Sequence, residues 1–412
     1  MTDLKQALKN AGAHVRAVIK GILFVGFFVQ ILLGLIWMCC HLTKPQDFGV
    51  PEGVLYGWIW GMFGKRYVIL NVLQLSAAFA VRYYFLWSLS KRLYPERSVT
   101  KGLLIWGSLG MVTFPFAMQC HLAALPCSLI SSLFLLMLSY LFRDGKGKKR
   151  LVTLLLAAVC AGLMMGLSGA VDGDRRSVPG SSIPAAMASR LAWPTLWVDH
   201  EAWTEELQEI TGEVLWEANY YPGNMAMVCA AIEEKVSFSE AEAYYRQMAE
   251  VAWNYHAPMI IRQIGWDILG YAMTPVIFPL QMEGEAYDSY SGRNYEVMRS
   301  NAPLLTRYYV EYGCWWFGCG LIMALMYTLL GVMGSLGKDG EGNLWKRAVF
   351  PMAVSILASG ILVVLLTMRG AGIMDYKDSV AVNELWIAWP LLCLVWFSCR
   401  EKRVPQEEGI GQ

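Results

Sequence analysis

Residues 102–142 read GLLIWGSLGMVTFPFAMQCHLAALPCSLISSLFLLMLSYLF, and these 41 consecutive positions contain no Asp, Glu, Lys or Arg. One helix needs about 20 apolar residues to cross a bilayer, because each residue adds about 1.5 Å towards a hydrocarbon core about 30 Å thick. The stretch is therefore long enough for two spans joined by a tight hairpin. It predicts an integral membrane protein.

Other long apolar stretches lie on both sides of this hairpin, at 21–40, 67–90, 151–171, 312–337, 348–368 and 385–399. Together they predict about eight transmembrane helices, since a lipid core favours spans that satisfy their own backbone. The predicted fold class is an all-α polytopic membrane protein with an extracytoplasmic helical domain. We predict four segments: a five-span module at 1–171, an extracytoplasmic domain at 172–311, a three-span module at 312–400 and a tail at 401–412.

Basic residues predict the orientation. Of the 34 Lys and Arg residues, 19 fall in alternate short segments beside the ends of the spans, at 5–20, 91–101, 143–150, 338–347 and 400–403. Cytoplasmic loops carry this excess, so both termini are expected in the cytoplasm and the protein in the plasma membrane. Residues 172–311 then lie outside.

The outer segment is acidic, with 20 Asp and Glu against nine Lys and Arg in 172–311. Such a surface repels polyanions, so we expect no nucleic-acid partner. Only Cys229 lies well inside this segment, which excludes a disulfide framework or a cysteine zinc site there. Packing must hold the outer domain together.

The outer segment is also predicted to be helical. Asp199 is positioned to cap one helix, and Ser239 with Glu242 forms a Ser-x-x-Glu capping box ahead of another. Its tryptophans suit either a domain lying on the membrane interface or an ordinary core. These residues are Trp193, Trp197, Trp203, Trp216, Trp253 and Trp266.

Two apolar features have two interpretations each. Residues 256–282 contain Pro275 and favour an interfacial or re-entrant helix broken at that proline; the alternative is a buried helix under the outer domain. Arg82 is the one charge inside a confident span. We expect it to extend towards the cytoplasmic headgroups, and the alternative is a role in an intramembrane site.

The first 170 residues follow a recognisable order. An outer loop with Asp47 is followed by PEGVLYGWIWGMFGKRYVILNVLQL at 51–75, which contains Asn71, then by the basic turn SKRLYPER, the 102–142 hairpin and the turn KGKKR. This order resembles the N-terminal module of GT-C superfamily glycosyltransferases, which transfer sugars from polyprenyl-phosphate donors. The resemblance covers about 40% of the chain.

The resemblance implies that Asp47 is the catalytic base, beside a possible divalent cation, and that a lipid-linked sugar is the substrate. A carboxylate at the membrane edge gains basicity by partial desolvation. Members of the family place further acids between spans three and four, where this chain has Gln119, Cys120 and His121. We assign His121 a catalytic role as a proton carrier or metal ligand, and Gln119 and Glu52 roles in substrate binding. Simple turn or interfacial roles are the alternatives.

A second candidate stretch precedes the sixth span, where Arg293, Arg299 and Arg307 lie among tyrosines. Arginines at the headgroup level suit phosphate, which they bind through paired hydrogen bonds. We assign all three to substrate binding. The alternative is an ordinary belt of residues beside the membrane.

The function expected from these features is sugar transfer from a polyprenyl-phosphate donor in cell-envelope glycan assembly, with activity retained or lost. The main alternative is a non-enzymatic envelope protein that binds a membrane-protein partner or a lipid-linked glycan. A transporter comes third, because no paired charges are apparent within the spans. The five dispersed histidines offer no metal-ligand spacing, and no phosphate loop or zinc-protease motif is present.

Overall fold

The structure is a computed structural model of the 412-residue chain. It describes residues 2–42, 54–63, 66–93, 99–122, 126–141, 143, 147–167, 180, 182–220, 225–273, 275, 299–300, 302–335, 357, 360 and 380–398. Every regular element within these ranges is helical, which confirms the all-α expectation for this part of the chain.

Seven helices come from the N-terminal segment. They are α1 (Thr2–His41), α2 (Val54–Phe63), α3 (Tyr67–Leu93), α4 (Lys101–Val112), α5 (Pro115–Leu122), α6 (Cys127–Leu141) and α7 (Lys148–Leu167). Pro115 stands at the first position of α5, where its missing N–H breaks no helical bond and its ring stops α4 from continuing.

The structure gives the bounds of five α-helices in the described part of the outer segment, with two short 3-10 turns between them. The α-helices are α8 (Ile183–Ala192), α9 (Leu196–Asp199), α10 (Glu205–Tyr220), α11 (Met225–Lys235) and α12 (Phe238–Met273). Beyond the outer segment the structure gives the bounds of α13 (Leu304–Ser335) and α14 (Val380–Ser398), and residues 357 and 360 are also helical.

Three of the described helices contain segments long and apolar enough to cross a membrane, namely Ala17–His41, Val68–Lys91 and Lys148–Leu167. A fourth span is possible if α4 and α5, which meet at an angle of 72°, are one broken helix. These segments support membrane association. The count of eight spans and the orientation of the termini remain predictions.

The membrane core forms around α14, whose described side chains are almost all buried. This helix packs against α1, α3, α4, α5, α6 and α13. The buried cluster therefore joins residues from the 1–171 and 312–400 segments, including Trp37, Phe85, Trp316 and Trp386. Gly320 allows a close approach of α13 to α14, because a Cβ at this position would collide with the backbone of Trp386.

The outer helices enclose a second core, which includes Leu207, Cys229, Tyr245 and Met248. The predicted capping box of Ser239 with Glu242 is wrong by two residues, since the box at the start of α12 is formed by Ser237 with Glu240. The backbone N–H of Ser237 donates to Glu240 Oε2 at 3.0 Å, and the Ser237 hydroxyl donates to the same oxygen at 2.7 Å. The helix begins at Phe238, so the glutamate three residues after its N-cap is Glu240.

Helix α12 connects the two cores. Its one non-helical residue is His256, two positions before Pro258, whose ring and missing N–H disrupt the helical turn. Beyond this kink Ile260 is buried in the outer core, whereas Ile268 packs against the membrane core. Helix α12 ends at Met273, two residues before Pro275, where the sequence predicted a break. It also has a kink at His256 that was not predicted. The outer core and the membrane core share this segment, while 276–282 lie outside the described residues.

The six tryptophans divide between the two interpretations. Trp203 is buried, and Trp193 donates its ring N–H to the carbonyl of Ala218 at 3.1 Å. The other four are about half exposed, namely Trp197, Trp216, Trp253 and Trp266. Part of this set is core, and part forms an apolar surface.

Candidate functional site

The hairpin end of α5 holds two of the predicted site residues. His121 is fully buried, and its Nδ1 lies 2.8 Å from the hydroxyl oxygen of Ser128 on α6. Its other ring nitrogen, Nε2, is buried and has no hydrogen-bond partner among the residues that the structure describes. A buried polar atom without a partner is costly, so this nitrogen marks a position suited to a polar ligand atom or a water molecule.

Gln119 is also fully buried, and within the described ranges neither its amide oxygen nor its amide nitrogen has a hydrogen-bond partner. It lies two residues before His121 on the same helix. Residues two apart on a helix point in different directions, so α5 carries two unsatisfied polar groups on different faces. The structure thus keeps both predicted residues within the bundle without bringing their side chains to one point.

Arg82 lies at the centre of a buried network that the sequence analysis missed. Its Nε donates to Glu384 Oε2 at 2.8 Å, and Nη2 donates to Glu384 Oε1 at 2.6 Å. Nη1 donates to Ser132 and to the Ala78 carbonyl, and Nη2 also donates to Ser131. All five guanidinium N–H donors are therefore used.

These bonds correct two expectations. Arg82 and Glu384 are both fully buried, so the arginine does not extend to the headgroups. Arg82 lies nine residues before Lys91, or about 14 Å along the helix. The second expectation was that the spans contain no paired charges, whereas Arg82 and Glu384 form such a pair within helices α3 and α14. The acid was missed because Glu384 lies just before the predicted span at 385–399, whereas α14 begins at Val380. A search for an acid close to an apolar run, as a partner for Arg82, would have found it.

The polar contact of His121 and the buried network around Arg82 are linked along one side of α6. The hydroxyls of Ser131 and Ser132 donate to the carbonyl of Ser128 at 3.3 and 2.9 Å, and their oxygens accept from Arg82. Ser128 also contacts His121. A continuous polar chain thus runs from α5 through α6 to α3 and α14.

A third polar group lies in the outer domain and was also missed. The Nε2 of His256 lies 2.9 Å from Asp199 Oδ1, and the Thr195 hydroxyl donates to Asp199 Oδ2 at 2.5 Å. Asp199 is buried, and His256 is 29% exposed. Asp199 ends α9 instead of capping α10, which begins at Glu205. The kink at His256 brings together residues 57 positions apart, a separation that has no sequence signal.

The predicted arginine site is described only in part. Arg299 is exposed, and Arg307 pairs with Glu311 one helical turn later, with Nε and Oε1 3.3 Å apart. A paired guanidinium is a weaker phosphate ligand than an unpaired one. Arg293, Asp47 and Glu52 lie outside the described residues. Their assigned roles stay predictions.

Metal binding also remains a prediction. Within the described ranges, no group of three or more His, Cys, Asp or Glu side chains is arranged to hold a metal ion. Asp47, which the resemblance places beside a possible cation, is outside those ranges.

No family model, curated protein or solved structure matches this chain. The likeness to the GT-C superfamily therefore rests on the residues and segment order given above.

Proposed function

We propose that the protein is a membrane glycosyltransferase, similar to the GT-C superfamily, that uses a polyprenyl-phosphate sugar in cell-envelope glycan assembly. The observation that supports this most is the state of His121. One ring nitrogen contacts the Ser128 hydroxyl, and the other is buried with no partner in the part of the chain that the structure describes. The position is where the family carries additional acids.

The arrangement of His121 suits a base. When Nδ1 carries the ring proton and its N–H donates a hydrogen bond to the Ser128 hydroxyl oxygen, Nε2 holds a lone pair that can accept a proton from the hydroxyl of the sugar acceptor. The orientation predicted from the basic residues puts the hairpin end at the outer face, at the level of the loop that contains Asp47. His121 then serves as a proton acceptor in addition to Asp47.

The experiment is sugar transfer by the full chain in lipid nanodiscs, from a radiolabelled polyprenyl-phosphate sugar to an envelope glycan acceptor. His121→Gln is expected to lower kcat by about 10²–10⁴-fold, the usual contribution of a positioned base, with little change in donor affinity. Ser128→Ala should have a smaller effect, because it only frees the ring.

The matched control is His41→Gln. His41 is also buried, but it stacks on Trp37 and contacts the backbone oxygen of the same residue on its own helix. Its replacement should leave turnover unchanged. Wild-type turnover in His121→Gln would remove His121 from the mechanism.

The second candidate is a non-enzymatic envelope protein, and the exposed rings of the outer domain favour it. Trp197 and Trp216 meet edge to face with centroids 5.6 Å apart, and both are about half exposed. Exposed apolar surface of this kind is typical of contact with lipid or protein. Donor binding by the wild type without any transfer would favour this function over catalysis.

Arg82 and Glu384 supply the transporter hypothesis with a charge pair inside the helices. An ion-coupled carrier, however, needs charged groups that change partners during the transport cycle. Because all five donors of Arg82 are engaged, the pair behaves as a fixed connection between helices. We therefore place this hypothesis third.

A further inference from the structure

The hairpin between α5 and α6 brings two cysteines into contact. The Sγ atoms of Cys120 and Cys127 are 2.7 Å apart, and both residues are buried. Unbonded sulfur atoms do not normally approach so closely, whereas a covalent S–S bond is about 2.05 Å long. Among the cysteines that the structure describes, no other pair has contacting sulfurs.

The neighbouring residues show that this contact follows from the register of the hairpin. His121 and Ser128, each one position further along, form the 2.8 Å contact described above. Two successive cross-hairpin pairs therefore exist, 120 with 127 and 121 with 128. The backbone alignment that holds the second pair also holds the two cysteines face to face.

The position of the hairpin suits oxidation. Lys101 begins α4, and Arg143 and Lys148 follow α6, so the basic residues flank the opposite ends of these helices. Under the positive-inside rule the cysteines lie at the extracytoplasmic side, where disulfides form and persist.

We propose that Cys120 and Cys127 form an intramolecular disulfide, made by thiol–disulfide exchange with an extracytoplasmic disulfide oxidoreductase. One cysteine thiolate attacks the oxidant's disulfide and releases one of its sulfurs as a thiol. The second cysteine thiolate attacks the mixed disulfide and releases the other. The two cysteines lose two protons and two electrons, and the oxidant becomes a dithiol. Exchange precedes the packing of the hairpin, since both sulfurs are buried afterwards.

This bond has a consequence for the neighbouring site that does not depend on sugar transfer. Gln119 and His121 flank Cys120 directly, so closing the hairpin at Cys120 restricts the backbone that carries both unsatisfied polar groups. Reduction is expected to loosen this end of α5.

The experiment counts free thiols in the full-length protein. The chain is purified from membranes without reductant, unfolded in N-ethylmaleimide, digested and analysed by mass spectrometry. The peptide with Cys120 and Cys127 should be unlabelled and lighter by two hydrogen atoms, and dithiothreitol added to the unfolded chain before N-ethylmaleimide should give two labels. Cys160 on α7 is the matched control, because it is buried, contacts none of the other cysteine sulfurs that the structure describes, and should be labelled either way.

Two variants complete the test. Cys120→Ser should leave Cys127 labelled without reductant. In the wild type dithiothreitol should lower Tm, and in the Cys120→Ser/Cys127→Ser double variant it should not. Labelling of both cysteines on most unreduced wild-type chains overturns the proposal, and so does an equal reductant effect on Tm in the double variant.

Discussion

Replacing Glu384 with Ala tests how the buried network supports the membrane core. The variant leaves the Arg82 guanidinium fully buried with two of its five hydrogen bonds lost, those at 2.8 and 2.6 Å to the carboxylate. Removing one partner of a buried pair costs about 3–5 kcal/mol, because the remaining charge is left without compensation. We expect a loss of that size in the free energy of unfolding. Arg82→Leu should give a similar loss.

The double variant separates pairing from burial. With Arg82→Leu and Glu384→Leu together, no charge remains in the core, and apolar replacement of a buried pair is often neutral or stabilising. We expect most of the loss to be recovered. Arg82→Lys should be nearly as unstable as Arg82→Leu, because a single ammonium cannot reproduce the paired hydrogen bonds to Glu384.

Reversible unfolding of the full chain in detergent micelles, followed by circular dichroism, gives these energies as a double-mutant cycle. Ser139→Ala is the control, since its hydroxyl is buried on α6 but donates only to the carbonyl of Leu135 in the same helix. Two results would refute the reasoning. One is that the single variants unfold with a free energy within about 1 kcal/mol of the wild type; the other is that the double variant loses the sum of the two single losses.

Three further predictions concern the helices and the outer core. Gly320→Ala should destabilise by about 1–3 kcal/mol, because its Cβ meets the backbone of α14, whereas Gly318→Ala on the same helix meets nothing within 4 Å and should be neutral or stabilising in thermal unfolding. Burial raises the pKa of Cys229 to about 12, so its thiol should resist iodoacetamide at pH 8 in the folded protein and react once urea unfolds it; rapid labelling of the folded chain would contradict this. Hydrogen bonds from the Ser237 hydroxyl and backbone N–H lower the pKa of Glu240, so the cap stabilises α12 at neutral pH and loses that contribution as the pH falls through the lowered pKa. Ser237→Ala keeps the backbone bond and should reduce this acid-dependent part. An unchanged pH profile of stability in that variant would contradict the prediction.

Much of the helical content was predictable because its causes are local. An apolar run of 20 residues has few options in lipid, so Ala17–His41, Val68–Lys91 and Lys148–Leu167 match the predicted spans. Capping depends on residues three positions apart, and even there the prediction chose Ser239 with Glu242 where Ser237 with Glu240 caps the helix. Two overlapping Ser-x-x-Glu patterns look equal until the start of the helix is known.

The sequence could predict some residues of the candidate site but not the contacts that these residues make. His121 and Gln119 could be named as polar residues in an apolar hairpin. The sequence could not show that Ser128 contacts one ring nitrogen of His121 while the other has no partner among the described residues. It also gave no sign that His256 meets Asp199, since that contact needs the kink in α12.

By itself the sequence determined that this chain is helical and associated with a membrane, because composition and 20-residue runs act on each segment separately. Only the tertiary structure decided that Arg82 is paired instead of extended to the headgroups. Its partner, Glu384, lies 302 positions away on the helix at the centre of the membrane core. Hydrophobicity records the cost of burying each charge alone, whereas the compensation that makes burial possible exists only after α3, α6 and α14 pack together.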